Sequence, residues 1–321
     1  MSEDRVRSEK LDEIGEYKGN PFRRRSVPLR WQGVAKVCVG MVLVPMRVML
    51  CTLALCLSLG SILAVTYGDP PRDFLQPQDR KKRKFVEKVS KLCGRAVMIV
   101  MGGWNVEEHL AVDPPEVSVP GTYVIVSNHV SFMDIMYHVW RSTPSFIAKA
   151  EVSRIPIIGP LARVLQTIFV DRESGTTQSA SMLLKSRLSI PGFPSTLVFP
   201  EATTSNNECL LPFHTGAFLA GAPVKIFVFE YGVVDFDYSY CGLTLPVLWS
   251  ILSEPVLPLK VTSLPMYFPS EKERNDHFLY ANNVRAEIQK VLCVPYSSFT
   301  LKDRNERNMS REDLSALVKQ D

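Results

Sequence analysis

The sequence predicts an α/β fold, a mainly parallel sheet flanked by helices, and three observations carry that expectation. Short β-branched runs alternate with stretches of helical periodicity from Tyr123 to Val291. Polar residues with chemical potential recur just past the strand segments, where open parallel sheets place their sites. The chain has 321 residues, 46% of them hydrophobic, which is enough for a sizeable core.

Taken in order, Tyr123–Ser127 reads as a strand and Phe132–Arg141 as a helix. Ser145–Lys149 reads as a strand, and Ile155–Leu165 is apolar but punctuated by Pro156, Gly159 and Pro160. Thr167–Val170 is a strand ending at Asp171-Arg172, followed by a helix over Thr176–Leu188. Thr196–Phe199 is a strand ending at Pro200-Glu201, and Val224–Glu230 is another. Asp276–Val291 is helical, with Phe278, Ala281, Val284 and Ile288 on one face. These elements fall in a globular domain spanning residues 95–295, with loops at Asp113-Pro114-Pro115 and Val119-Pro120-Gly121.

The N-terminal third is different. Residues 1–36 are polar and charged and read as a cytosolic tail. Residues 37–67 form a membrane segment: Val48–Val65 is an uninterrupted apolar run of 18 residues, against about 20 needed to span a bilayer. Pro45 and Arg47 interrupt the longer stretch. Arg23, Arg24, Arg25, Arg30 and Lys36 precede it, and Arg80, Lys81, Lys82, Arg83 and Lys84 follow it. Positive charge stays cytosolic, so a re-entrant hairpin broken near Pro45 is expected, with both clusters against anionic headgroups. Residues 68–94 form a basic amphipathic connector in which Phe85, Val89 and Leu92 recur at helical spacing. Residues 296–321 read as a charged C-terminal tail.

Composition excludes several classes. The net charge of +4 is mild and concentrated beside the apolar segment, so nucleic acid is not an expected partner. Seven scattered cysteines without a CxxC argue against a disulfide framework and a structural zinc site. His109, His138, His214 and His277 lack metal-ligand spacing, and there is no G-x-S-x-G, G-x-G-x-x-G or P-loop. Tyr238 and Tyr240 read as structural.

His129 follows a strand directly, and Asp134 lies five residues on. A neutral imidazole accepts a proton near neutral pH, and a carboxylate partner fixes its tautomer. On a continuous helix the two would lie about 140° apart, so a strand-to-helix turn is required for them to meet. The competing role for a strand-end histidine is capping or packing. Arg172 at the next strand end can fork onto phosphate oxygens, or it can pair with Asp171, Glu173 or Glu201. Glu201 can orient a substrate hydroxyl or hold Arg172 in place. Thr203 and Thr204 offer donors to a phosphate, or they form an ordinary turn with a helix N-cap.

Together these segments resemble the lysophospholipid acyltransferase superfamily, which includes the 1-acylglycerol-3-phosphate acyltransferases. Asn128, His129 and Asp134 match its N-H-x4-D motif. Ile168-Phe169-Val170-Asp171-Arg172 is similar to its second motif, and Phe146–Glu151 with Ile155–Gly159 precedes it as in the family. Phe199-Pro200-Glu201-Ala202-Thr203 is similar to the third motif, F-P-E-G-T, and Ala222–Phe227 to the fourth. Pro265–Ser270 and Leu279–Arg285 look like the lysophosphatidylcholine acyltransferase branch. Gln166, Ala202 and Ile226 depart from the glycine, glycine and proline of the pattern and leave headgroup geometry and substrate identity open.

The resemblance implies a glycerolipid acyltransferase-like domain over residues 95–295. It implies His129 and Asp134 as the catalytic pair, with Asn128, Arg172, Glu201, Thr203, Thr204 and Lys149 as substrate-binding residues. It implies acyl-CoA as co-substrate with no bound cofactor or metal, and a lysophospholipid acceptor carrying choline, ethanolamine or a bare phosphate. Membrane lipid is the expected setting, in the endoplasmic reticulum with the catalytic domain facing the cytosol. Some members of the branch carry EF-hands; no D-x-D-x-D-G loop occurs here, so calcium is not an expected partner. The rival reading is a non-catalytic membrane or lipid-droplet scaffold that retains the fold.

Overall fold

A computed structural model describes residues 15–17, 19–22, 32–68, 75–113, 122–170, 177–232 and 245–303. Among the described residues, seven strands form one sheet in the order β1-β7-β6-β2-β5-β3-β4. They are β1 (Glu107–Leu110), β2 (Val124–Ser127), β3 (Ser145–Lys149), β4 (Ile168–Val170), β5 (Thr196–Val198), β6 (Val224–Tyr231) and β7 (Leu259–Ser263). Every pairing is parallel except β6 with β7. The expected mainly parallel sheet is therefore present, and β2, β3, β4, β5 and β6 fall within a residue or so of the sequence expectation.

Helices cover both faces. They are α1 (Gln32–Thr66), α2 (Arg80–Val100), α3 (Phe132–Arg141), α4 (Ile158–Val164), α5 (Thr177–Leu188), α6 (Leu245–Ser253), α7 (Glu271–Asn275) and α8 (His277–Leu292). Strand alternation divides the core between the faces. Val124 and Val126 of β2 join Leu184 of α5 and Tyr280, Val284 and Ile288 of α8 on one side. On the other side Phe229 and Val261 meet Val97 and Met98 of α2, Met133 and Tyr137 of α3, and Ile251 of α6.

The N-terminal segment corrects one expectation. In place of a hairpin broken near Pro45, α1 is one helix of 35 residues with Pro45 inside it. An interior proline costs a helix about 3 kcal/mol, but packing on both sides of Pro45 holds the helix together. Val44, Cys51 and Ala54 pack against the core of the globular domain. Arg47 is buried and donates to the carbonyls of Leu252 at 2.9 Å, Pro255 at 3.1 Å and Glu254, capping the C-terminal end of α6. From Val37 to Thr66 the helix is long and apolar enough to cross a membrane, with a mean hydropathy of 2.4. Val37, Met41, Val42, Met49, Leu53 and Leu57 are among its exposed side chains.

α2 is amphipathic as expected, with the face of Phe85 and Leu92 turned away from the domain. Its buried stripe is Val86, Ser90, Gly94, Val97 and Met98, while Phe85 and Leu92 of the expected face are 37% and 72% exposed. Gly94 marks the packed face: a Cβ there would lie 2.8 Å from the Trp140 backbone nitrogen, so only glycine lets α2 and α3 cross so closely.

Neither expected tail is wholly free of the domain. The Tyr17 N–H donates to Tyr296 O at 2.9 Å, its hydroxyl donates to Glu208 Oε2 at 2.5 Å, and Asn206 N–H donates to Pro21 O at 2.8 Å. Ser297 N–H donates to Leu210 O at 3.2 Å. Arg23, Arg24, Arg25, Arg30, Tyr238 and Tyr240 lie outside the described residues.

Candidate active site

The site gathers where β2 and β5 end side by side, next to the longer β6. Asn128-His129 continues β2, and Ser131 then caps α3 with extended backbone geometry. Ser131 and Asp134 form a reciprocal capping box, which places Asp134 in the first helical turn. The turn required for His129 to meet Asp134 is thus made by the cap itself.

His129 Nδ1 lies 3.0 Å from Asp134 Oδ2. The same oxygen accepts the backbone N–H of Val130 at 2.8 Å and of Ser131 at 3.0 Å. Asp134 is fully buried at the positive end of α3, where an anion is favoured. A carboxylate only accepts, so Nδ1 is the donor of the pair, and in the neutral imidazole Nε2 is then the nitrogen with the lone pair. The imidazole stacks on Phe199 with centroids 3.8 Å apart and keeps 16% of its side chain exposed. A clamped, partly open imidazole with a free nitrogen lone pair is equipped to take a proton.

The loop after β5 grips the His129 backbone from both sides. Glu201 Oε1 accepts the His129 N–H at 3.3 Å, and Ser205 N–H donates to His129 O at 3.1 Å. Glu201 Oε2 accepts the Leu211 N–H at 3.1 Å. Glu201 is 2% exposed, and burial pushes its carboxyl up to about 7, against the pull of the Leu211 and His129 N–H groups. Each oxygen accepts one backbone N–H, so Glu201 ties the His129 backbone to that of Leu211.

Asn128 behaves likewise. Its side chain donates to Phe229 O at 2.9 Å and accepts the Phe229 N–H at 2.8 Å, fastening the end of β2 to β6. A second donation reaches Asn207 Oδ1 at 2.9 Å. The substrate-binding role expected for Asn128 gives way to a clamp, because its amide is consumed inside the sheet. Thr203 and Thr204 are buried at 5% and 6% exposure within the gripping loop. Lys149 is exposed at the end of β3; β5 lies between β3 and β2, so it stands about 10 Å from the β2 end by strand spacing. Arg172 lies outside the described residues.

Both glycine departures fall where glycine is favoured. Gln166 has φ +59° and Ala202 φ +58°. The chain keeps the left-handed backbone at both positions although a side chain there is strained.

Sequence reasoning left two participants unassigned. The capping box was legible as Ser131-x-x-Asp134, a spacing hidden beneath the histidine motif. Tyr231, which donates its hydroxyl to Asp134 Oδ1, carries no local signal. His138, one further histidine on α3, is fully buried among Tyr137, Phe199, Phe227 and Phe229, and burial pushes it down to about 3, so it stays neutral.

A family model described as Acyltransferase matches residues 109–229, which contain the His129–Asp134 pair and the Glu201 loop. Over residues 109–229 the chain is thus similar to the acyltransferase family. The chain is 37% identical to the lysophospholipid acyltransferase LPEAT1 of Arabidopsis thaliana over 207 residues, 62% of this chain and 51% of that protein. Lysophosphatidylcholine acyltransferase 2 of Homo sapiens is 28% identical over 289 residues, 88% of this chain and 52% of the relative. The lysophosphatidylcholine acyltransferase of Drosophila melanogaster is 29% identical over 292 residues, 88% and 54% of the two chains. The chain thus spans about half the length of the curated relatives it matches. The crystal structure of the 1-acyl-sn-glycerophosphate (LPA) acyltransferase PlsC from Thermotoga maritima shares the fold, with a TM-score of 0.52 and 20% identity. It covers 80% of this chain and 98% of its own.

Proposed function

We propose that this chain is an O-acyltransferase that transfers an acyl group from acyl-CoA to the free hydroxyl of a lysophospholipid. The observation that carries the proposal is the His129–Asp134 pair at 3.0 Å, inside the region similar to the acyltransferase family. The names of the relatives support a lysophospholipid acceptor; lysophosphatidylcholine, lysophosphatidylethanolamine and lysophosphatidic acid are the proposed candidates.

In this mechanism Nε2 of His129 removes the hydroxyl proton, and the Asp134 carboxylate balances the imidazolium. The acceptor oxygen attacks the thioester carbonyl carbon and forms a tetrahedral intermediate. The C–S bond then breaks, the new ester C–O bond remains, and the leaving CoA thiolate takes the proton back from Nε2. A thiolate is a good leaving group, so a positioned base suffices and no covalent enzyme intermediate is needed. No bound cofactor takes part.

Arg172 is assigned to the acceptor phosphate, which its guanidinium suits. Lys149, exposed at the end of β3, is assigned to the CoA end of the site. Glu201 and Asn128 hold the backbone beneath. The apolar surface of α1, together with Phe85, Leu92 and Ile99 exposed at sevenfold spacing along α2, supports a seat on a membrane. There an insoluble acceptor and a soluble donor both reach the site. The endoplasmic reticulum, with the domain on the cytosolic side, is the proposed location.

The test is acyl-CoA consumption by purified protein over a panel of lysophospholipids. Wild type consumes acyl-CoA with at least one acceptor, and His129→Ala loses about 10²–10⁴-fold in rate, the usual worth of a positioned base. Equal rates for the two proteins would overturn the assignment of His129 as the base, and no consumption by either with any acceptor would leave the scaffold reading.

A further inference from the structure

We propose that Tyr231 is a positioning residue for the proton transfer, holding the Asp134 carboxylate in the rotation that serves His129. The proposal rests on the acyltransferase reading above and extends it to a residue outside the motifs.

The sheet delivers Tyr231 to this point. β2 stops at Ser127, paired with Phe227, but β6 continues to Tyr231. It can run on because β7 pairs antiparallel along the extension, with Glu230 opposite Lys260 and Tyr231 opposite Leu259. Asn128 fixes the same stretch by gripping both backbone groups of Phe229. Alternate residues share one face of a strand. Phe227, Phe229 and Tyr231 accordingly pack on the side of the sheet that carries Met133 and Tyr137 of α3. The third of them meets the first turn of that helix.

At Asp134 the two oxygens are loaded unequally. Oδ2 takes the Val130 and Ser131 N–H groups and His129 Nδ1. Oδ1 takes the Tyr231 hydroxyl. The residue is fully buried, so an oxygen deprived of its donor gains none from solvent. The terminal torsion of an aspartate is broad and two-fold. Without the phenol, the carboxylate can turn so that Oδ1 competes for the donors now on Oδ2, and the His129 tautomer is no longer held by one oxygen. The hydroxyl therefore acts through Asp134 on His129, while the substrate meets His129.

The experiment compares full-length wild type with Tyr231→Phe, which keeps the ring and removes only the hydroxyl. The expected result is a kcat about tenfold lower, part of what a general base supplies, with KM for acyl-CoA and acceptor within about twofold of wild type. ¹⁵N NMR of the His129 ring reads the same device without turnover: wild type shows the Nδ1–H tautomer alone, and Tyr231→Phe shows a mixture. If wild type transfers no acyl group, the proposed function fails, and the tautomer shift in Tyr231→Phe still upholds the positioning role. An unchanged kcat overturns it. So does a raised acceptor KM at unchanged kcat, which would put the phenol on the substrate, and so does an unchanged tautomer.

Discussion

Asp134 Oδ2 stands 3.0 Å from His129 Nδ1 while also accepting two backbone N–H groups of the turn that precedes α3. One carboxylate therefore serves a helix cap and a histidine at once. Asp134→Asn separates the two duties. An amide can present its NH₂ to Nδ1 and invert the tautomer, so kcat falls by about 10³–10⁴-fold, as in other His–Asp pairs. The weakened cap costs about 1 kcal/mol. Steady-state kinetics and thermal unfolding on one preparation check both; a variant as active as wild type would remove Asp134 from the chemistry.

Glu201 ties stability to pH. Its carboxyl is pushed up to about 7 by burial, from 4.5 in an unfolded chain. The folded state then holds a proton that the unfolded state has released, so this contribution is complete below about pH 4.5 and is lost as pH rises through about 7. Glu201→Gln is neutral throughout. The stability of wild type minus that of Glu201→Gln should fall steadily from pH 5 to pH 7.5, by an amount on the order of 2–3 kcal/mol. Denaturant titrations at four or five pH values measure it, and a difference that stays flat contradicts a raised carboxyl.

Ala202 sits at φ +58° directly after Glu201. An alanine in the left-handed region costs roughly 1–2 kcal/mol relative to glycine, partly offset by the greater freedom of glycine in the unfolded chain. Ala202→Gly should raise Tm by about 2–4 °C, the shift that about 1 kcal/mol gives a domain of this size. Gln166→Gly, at φ +59°, should gain less, because it also gives up the donation from Gln166 Nε2 to Gln76 O at 3.3 Å. Differential scanning of both variants tests the order; a lower Tm for Ala202→Gly would show that the strain is already relieved.

Arg47 joins the membrane-type helix to the globular domain through the carbonyls at the end of α6. Arg47→Leu keeps the helix apolar but strips those carbonyls of a charged donor, a loss of about 2 kcal/mol. Limited proteolysis should then cut the loop after α6, near Glu254–Val256, faster than in wild type. If the apolar run alone seats α1, Arg47→Leu will be as resistant as wild type.

Much of the fold could be read from short-range pattern. Phe132–Arg141 stands where periodicity places it, since the helix buries one face and its side chains report it, and Ser145–Lys149 keeps its expected bounds although its burial does not alternate. β1 and β7 gave no such signal: β1 is four residues, Glu-Glu-His-Leu, largely exposed, and exists by pairing with β7. At the site, the His129–Asp134 spacing was visible because the two residues are local to one turn. Glu201 was visible as a residue but not as a grip on His129, because the partner is a backbone N–H 72 positions away.

The order of β2 to β6 and of α3, α5 and α8 was thus determined by the sequence alone, because propensity, period and turn chemistry act within a few residues. The tertiary structure decided the rest. It kept α1 whole across Pro45, since burial against α2 and α6 outweighs a lost helical hydrogen bond. It spent Asn128 and Glu201 on backbone, and it brought Tyr231 to Asp134 across 97 residues, because a buried polar atom takes whichever partner the packed sheet places beside it.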